Sequence, residues 1–171
     1  MAAPNQKMTS QEALTYFDSL EPVDVPMMIG TWHGQGIDTD HPMDGLLEAS
    51  RWIGKRFDGP DAVYPLVHKG LFGRDFFVNP ALLPLGLVTH LPLRDPFIKV
   101  LFPLLSPFLS TGKPKARLRM TEFRGKVSAT MQYDARPIND VFRKIDARNV
   151  LGLMDHKGAK TPFFFKLTKV A

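Results

Sequence analysis

The chain has 171 residues, enough for one domain with a substantial buried core, and a net charge of +5 carried by scattered lysines and arginines. No basic run of the kind found in nucleic-acid arms is present, so a nucleic-acid partner is not expected. There is no cysteine, which excludes disulfides, thiolate metal sites and cysteine nucleophiles.

Met1 to Ser10 is polar and lacks the apolar core of a signal peptide, and no apolar run is long enough to span a bilayer. A cytoplasmic protein without an integral membrane span is the expectation. Thr9-Ser10-Gln11-Glu12 fits a capping box, and Ala13, Leu14, Phe17 and Leu20 follow at helical spacing. The first 25 residues therefore read as a short helix and an arm against the main body.

A strand is predicted from about Pro26 to Ile37, containing Gly30-Thr31-Trp32-His33-Gly34-Gln35-Gly36. In extended chain Trp32, Gly34 and Gly36 share one face. A large ring followed by two absent side chains suits a strand approached closely or bent sharply, as at a barrel corner. Asp44 is placed to cap a short helix over Leu46 to Ser50. The next strand, Arg51 to Phe57, sets Ile53, Lys55 and Phe57 on one face and Trp52, Gly54 and Arg56 on the other. Further strands are expected at 62–69 and 71–78.

Residues 79–114 are dense in Leu and Phe but interrupted by Pro84, Pro92, Pro96, Pro103 and Pro107. Proline rules out one long helix, leaving short helical turns. This insertion reads as a lid over a barrel mouth, a dimer surface or a membrane-contacting face. From Lys115 the pattern is plainly β, with strands predicted at 116–123, 127–133, 137–145, 149–154 and 163–170 joined by short Asp-, Arg- and Gly-bearing turns. The total of eight or nine antiparallel strands is enough to close a small barrel around one ligand. The fold class is mainly β: a single antiparallel barrel domain over 1–171 with an N-terminal helix and a proline-rich insertion.

Five groups of residues together resemble a known family, the small proteins named for a Gly-x-Trp-x-Gly motif that carry a C-terminal domain of unknown function. The motif is Gly30-Thr31-Trp32-His33-Gly34, continued by His41-Pro42-x-Asp44-Gly45 and Trp52-x-Gly54-Lys55-x-Phe57. The C-terminal part carries Pro137-Ile138-x-Asp140-x-Phe142-Arg143 and Leu151-Gly152-x-Met154-Asp155. The resemblance implies a fold more than an activity. More loosely the chain is similar to the calycins, comprising lipocalins, fatty-acid-binding proteins and haem-binding nitrobindins, whose barrels also begin on a Gly-x-Trp strand. In lipocalins a cation from the last strand lies over that tryptophan, a part that Lys166 or Lys169 would take here.

Lys55 and Asp140 stand out because each shares its strand face with apolar neighbours. If those faces turn inward, an ammonium and a carboxylate meet inside, where each alone would be costly. Together they form a buried pair or hold a ligand's polar end, with Trp52, Phe57 and Phe142 as walls. Arg143 replaces Asp140 if the register slips by one. His41 lies three residues before Asp44 in a mouth loop, a spacing that also permits an acid/base couple. No local histidine spacing suggests a metal site, and His68 and His90 are the candidates for an axial ligand in a haem-binding variant.

The function these residues point to is binding of a small hydrophobic molecule (a carboxylic acid, sterol, terpenoid or aromatic metabolite) in a barrel cavity, with no cofactor. The alternative is a cofactor-independent isomerase, lyase or cyclase that uses Lys55, Asp140 and His41. A homodimer through residues 79–114 is a further expectation.

Overall fold

A computed structural model describes residues 7–70, 73–83, 102, 105 and 108–170. Helix α1 (Ser10–Ser19) starts on the predicted capping box: the Glu12 amide donates to the Thr9 hydroxyl at 3.2 Å and the Thr9 amide to Glu12 Oε2 at 2.7 Å. Pro22 ends this segment in a two-residue strand, β1 (Glu21–Pro22).

The strand expected from Pro26 begins later. Val25–Met28 forms a single helical turn, α2, because Asp24 Oδ1 accepts from the Met27 amide at 2.9 Å and Pro26 pre-sets the first turn. The Gly-Trp strand itself is β2 (Gly30–Gly36). A short helix α3 (Leu46–Ala49) does follow, but its N-cap is Gly45 at φ 79°, without a side-chain cap. Asp44 instead binds the loop before it, accepting from the amides of Thr39 at 2.9 Å and His41 at 2.7 Å. Gly45 takes the left-handed conformation where the loop meets the helix.

Strands β3 (Trp52–Gly59), β4 (Ala62–Lys69) and β5 (Asp75–Phe77) come next, and then a 3₁₀ turn at Pro80–Leu82. After the insertion come β6 (Ala116–Phe123), β7 (Lys126–Tyr133), β8 (Ile138–Lys144), β9 (Asn149–His156) and β10 (Phe163–Lys169). Most of these bounds match the alternation in the sequence.

Eight of the strands close an antiparallel ring in the order β2-β3-β4-β6-β7-β8-β9-β10, with β10 returning to β2. This is the barrel expected from the sequence. Its thinnest seam is β4 to β6, registered at Val63 and Ala116 and supported by the Lys115 amide on the Val63 carbonyl at 3.0 Å. The insertion enters the chain at this seam. Beside it, β5 pairs with β4, and an isolated bridge joins Val78 to Ser110.

Two apolar clusters follow from strand parity. Trp32, Phe57, Leu118, Met131, Phe142, Phe165 and Leu167 face inward. Val141, Leu151, Leu153 and Phe164 face outward, where Ala13 and Phe17 of α1 cover them. Met28 of α2 is fully buried in the inner cluster and closes the end of the barrel where β2 starts. The indole of Trp32 donates to the Met28 carbonyl at 2.7 Å.

No helix among the described residues is long and apolar enough to cross a membrane. Of the insertion, residues 84–101 lie outside the described residues, and with them His90 and the core of the expected lid or interface.

Candidate functional site

Lys55 and Asp140 both point into the barrel. β3 and β8 stand four places apart in the eight-membered ring, so these two side chains come from opposite walls. They meet with Lys55 Nζ 2.8 Å from Asp140 Oδ2, at 3% and 1% side-chain exposure. Lys55 also donates to the Pro65 carbonyl at 3.2 Å. The pair is a polar brace across a mainly apolar interior.

Aromatic rings surround the ammonium. Lys55 Nζ lies 4.9 Å from the Phe165 ring centre, 5.6 Å from Trp52 and 5.8 Å from Tyr133. Such faces stabilise a desolvated cation. Phe57 and Phe142 pack edge-on at 5.9 Å on the closed side of the brace, and Phe142 meets Phe165 at 6.3 Å.

Trp52 reaches this interior although the simple alternation of β3 opposes it to Lys55. The register of β3 on β4 shifts between Trp52 and Gly54 and again between Gly54 and Arg56. Gly54 has φ +146°, and a Cβ there would collide with the Trp32 carbonyl. The irregularity turns Trp52 inward beside Lys55, as β-bulges commonly re-aim side chains. Gly34 leaves the space that the Trp52 indole fills, since a Cβ at Gly34 would overlap the ring.

The same shifts bring in His68, which pairs with Trp52 in register and is buried. Its Nε2 is 3.3 Å from Ser50 Oγ, and its ring lies beside Phe76 and Phe102. Burial lowers its pKa to about 4, with the Lys55 charge adding to the effect. Asp140 moves the other way: burial raises its pKa, opposed by the Lys55 ammonium. Burial and the neighbouring carboxylate together push the Tyr133 phenol well up. The Tyr133 hydroxyl is near enough to Asp140 to favour the carboxylate.

Three buried polar atoms in this cluster have no hydrogen-bond partner among the described residues: Asp140 Oδ1, Trp52 Nε1 and His68 Nδ1. Each such atom costs about 1–3 kcal/mol in a dry interior.

Other expected site residues lie elsewhere. Arg143 is fully buried but faces outward from β8, with its guanidinium 4.8 Å from the Phe17 ring of α1 and Nη2 donating to the Phe123 carbonyl at 2.9 Å. Parity decides this, because Asp140 and Phe142 take the inner face. Lys166 shares the outer face of β10 with Phe164. Lys169, on the inner parity, sits 5.4 Å from the Trp32 ring and donates to the Met27 carbonyl at 2.8 Å. The cation over the motif tryptophan is therefore Lys169, not Lys166.

No hydrogen bond joins the His41 ring to the Asp44 carboxylate among the described residues. Asp44 holds loop amides as described, and His41 Nδ1 accepts from the Met43 amide at 3.1 Å while its ring packs 5.4 Å from Phe163. Among the described residues no group of three His, Asp or Glu is placed to hold a metal ion. Tyr133, Phe165 and Ser50 were missed from the sequence. The signal for Tyr133 was present, since it shares the parity of Ala129 and Met131. His68 had no such signal beyond its candidacy as a haem ligand.

Fold and site together define a small closed antiparallel barrel with an ion pair buried across its interior. The GXWXG protein family matches residues 15–73, and the domain of unknown function DUF4334 matches residues 114–169. A crystal structure of a protein from Thermomonospora curvata is similar at 30% identity and a TM-score of 0.73, over 96% of this chain and 90% of that one. The chain belongs to the GXWXG family and carries the DUF4334 domain in its C-terminal part. No curated protein matches it.

Proposed function

We propose that this protein binds a small, mainly apolar molecule inside the barrel, on the side of the Lys55–Asp140 brace lined by Trp52, His68, Tyr133 and Phe165. The observation that carries the reading is the set of three buried, unpartnered polar atoms around one ion pair. Apolar walls with a few convergent polar groups are the usual composition of a ligand site. A ligand whose polar end meets those atoms removes a cost the free protein otherwise bears. Met28 of α2, Trp32 and Lys169 pack together at the opposite end of the barrel, so on this reading a ligand enters from the end near α3.

The test is Nile red titration followed by Trp fluorescence, together with organic extraction and mass spectrometry of protein purified without denaturant. Saturable dye binding and a recovered apolar molecule support the reading. No dye binding and an empty extract refute it.

A second reading rests on the raised proton affinity of Asp140. In a cofactor-independent isomerase, lyase or cyclase acting on such a ligand, Asp140 serves as acid and Lys55 as base. Lys55→Gln or Asp140→Asn then abolishes turnover while ligand affinity stays within about tenfold, the signature of a group acting on the transition state. Parallel loss of affinity and turnover favours simple binding.

A further inference from the structure

The polar atoms left over in the barrel specify which end group a ligand presents. We infer that the ligand is an apolar alcohol or phenol, and that its hydroxyl donates to Asp140 Oδ1. The inference rests on the binding reading above and narrows it.

The argument begins with charge. Lys55 and Asp140 neutralise one another at 2.8 Å. His68, with its pKa lowered to about 4, is uncharged at neutral pH, and the Tyr133 phenol, pushed upward, stays protonated. The interior is therefore formally neutral before a ligand enters. A carboxylate would add an uncompensated charge where burial is most costly. It would also meet Asp140 as a like charge and would have to draw Lys55 from a partner it already holds. A neutral ligand avoids all three penalties.

Hydrogen-bond type narrows the choice further. Asp140 Oδ1 only accepts when ionised, and no donor among the described residues meets it in hydrogen-bonding geometry, the nearby Tyr133 hydroxyl included. Trp52 Nε1 only donates, and it has no acceptor there. An ether or ester offers acceptors alone and leaves the carboxylate oxygen bare. A hydroxyl both donates and accepts, so it meets the carboxylate and leaves lone pairs for a donor such as the indole. A site whose buried acceptor requires a donor discriminates strongly against an analogue that lacks it.

The experiment is displacement of Nile red by three probes of one skeleton, 2-naphthol, 2-naphthoate and 2-methoxynaphthalene, repeated with dodecan-1-ol, dodecanoate and 1-methoxydodecane. At pH 7 each alcohol or phenol is expected to displace the dye at concentrations at least tenfold below its acid and its methyl ether. In the Lys55→Met/Asp140→Leu double variant the preference over the ether should shrink to within twofold. Should that variant fail to fold, the ranking on the unaltered protein decides alone. An acid binding as tightly as the alcohol, or an ether matching it, overturns the choice of hydroxyl while leaving a binding barrel. Dye binding that none of the six probes displaces overturns the inference too, and absence of dye binding removes the reading beneath it.

Discussion

Cutting one partner from the Lys55–Asp140 brace should damage the protein far more than removing both. Lys55→Met leaves the Asp140 carboxylate at 1% exposure without its cation, and Asp140→Leu strands the ammonium at 3%. Breaking a buried pair in this way costs about 3–5 kcal/mol, while replacing both members by apolar groups is commonly neutral or stabilising by about 1–4 kcal/mol. For a domain of this size about 2–4 °C per kcal/mol applies, so each single variant should melt roughly 6–20 °C lower. The double variant should melt at or above the parent. Three rings already stand within 5.8 Å of Lys55 Nζ to receive the apolar replacements. Urea unfolding and thermal melts of the four proteins at pH 7 complete the cycle. Single variants losing less than about 1 kcal/mol, the range of exposed pairs, would show that water reaches the pair. A double variant as unstable as the sum of the singles would show that no coupling exists, and the reasoning about a dry brace would fall.

Acid should unfold the protein partly through His68. Its pKa is about 4 in the folded chain against 6.5 ordinarily, so the folded state binds the proton less well than the unfolded one. The stability associated with neutral His68 is intact above about pH 6.5 and is lost as pH falls toward 4, about 3 kcal/mol in all; urea melts from pH 7 to 4 should show that slope, and His68→Gln should flatten it. Gly34→Ala forces a methyl into the Trp52 indole and should cost at least about 1–3 kcal/mol, with a shifted tryptophan emission spectrum as the local readout. Arg143→Leu should destabilise by about 1–3 kcal/mol through the loss of its hydrogen bond to the Phe123 carbonyl and its contact with the Phe17 ring. Nile red affinity should stay within twofold, because that side chain lies under α1 outside the barrel. Lys169→Met should cost about 1–2 kcal/mol through its lost contact with the Trp32 face, whereas Lys166→Met should fall within the scatter of surface changes in the same melts.

Where the sequence kept a strict period of two, it was legible. Strands β4 and β6 match the expected spans 62–69 and 116–123, and the inward parity of Asp140 follows from Ile138 and Phe142 beside it. Legibility failed where a backbone irregularity intervened. Trp52 and Lys55 are three apart in one strand, and alternation sets them on opposite faces; only the shifts at Gly54 unite them. Those shifts also deliver His68, which no pattern marks. The turn at Val25–Met28 was masked by apolar residues that fit a strand equally well, with the decisive hydrogen bond coming from Asp24 just before them. Lys169 and Lys166 are both cations of the last strand, and the choice between them needed the pairing of Lys169 with Trp32.

The return of β10 to β2 has a consequence for how the chain acquires its shape. The two segments that match the family lie at opposite ends of the sequence, yet Trp32 aligns with Lys169 and Gly36 with Phe165 in a single ladder. Loop-closure entropy must be met before such distant pairings are rewarded. During synthesis β2 waits, one edge unpaired, until β10 has left the ribosome. Throughout that interval the emerging chain is an open sheet with a bare apolar face, the state most exposed to aggregation. The protein's need for chaperones should therefore persist until β10 has emerged and paired with β2.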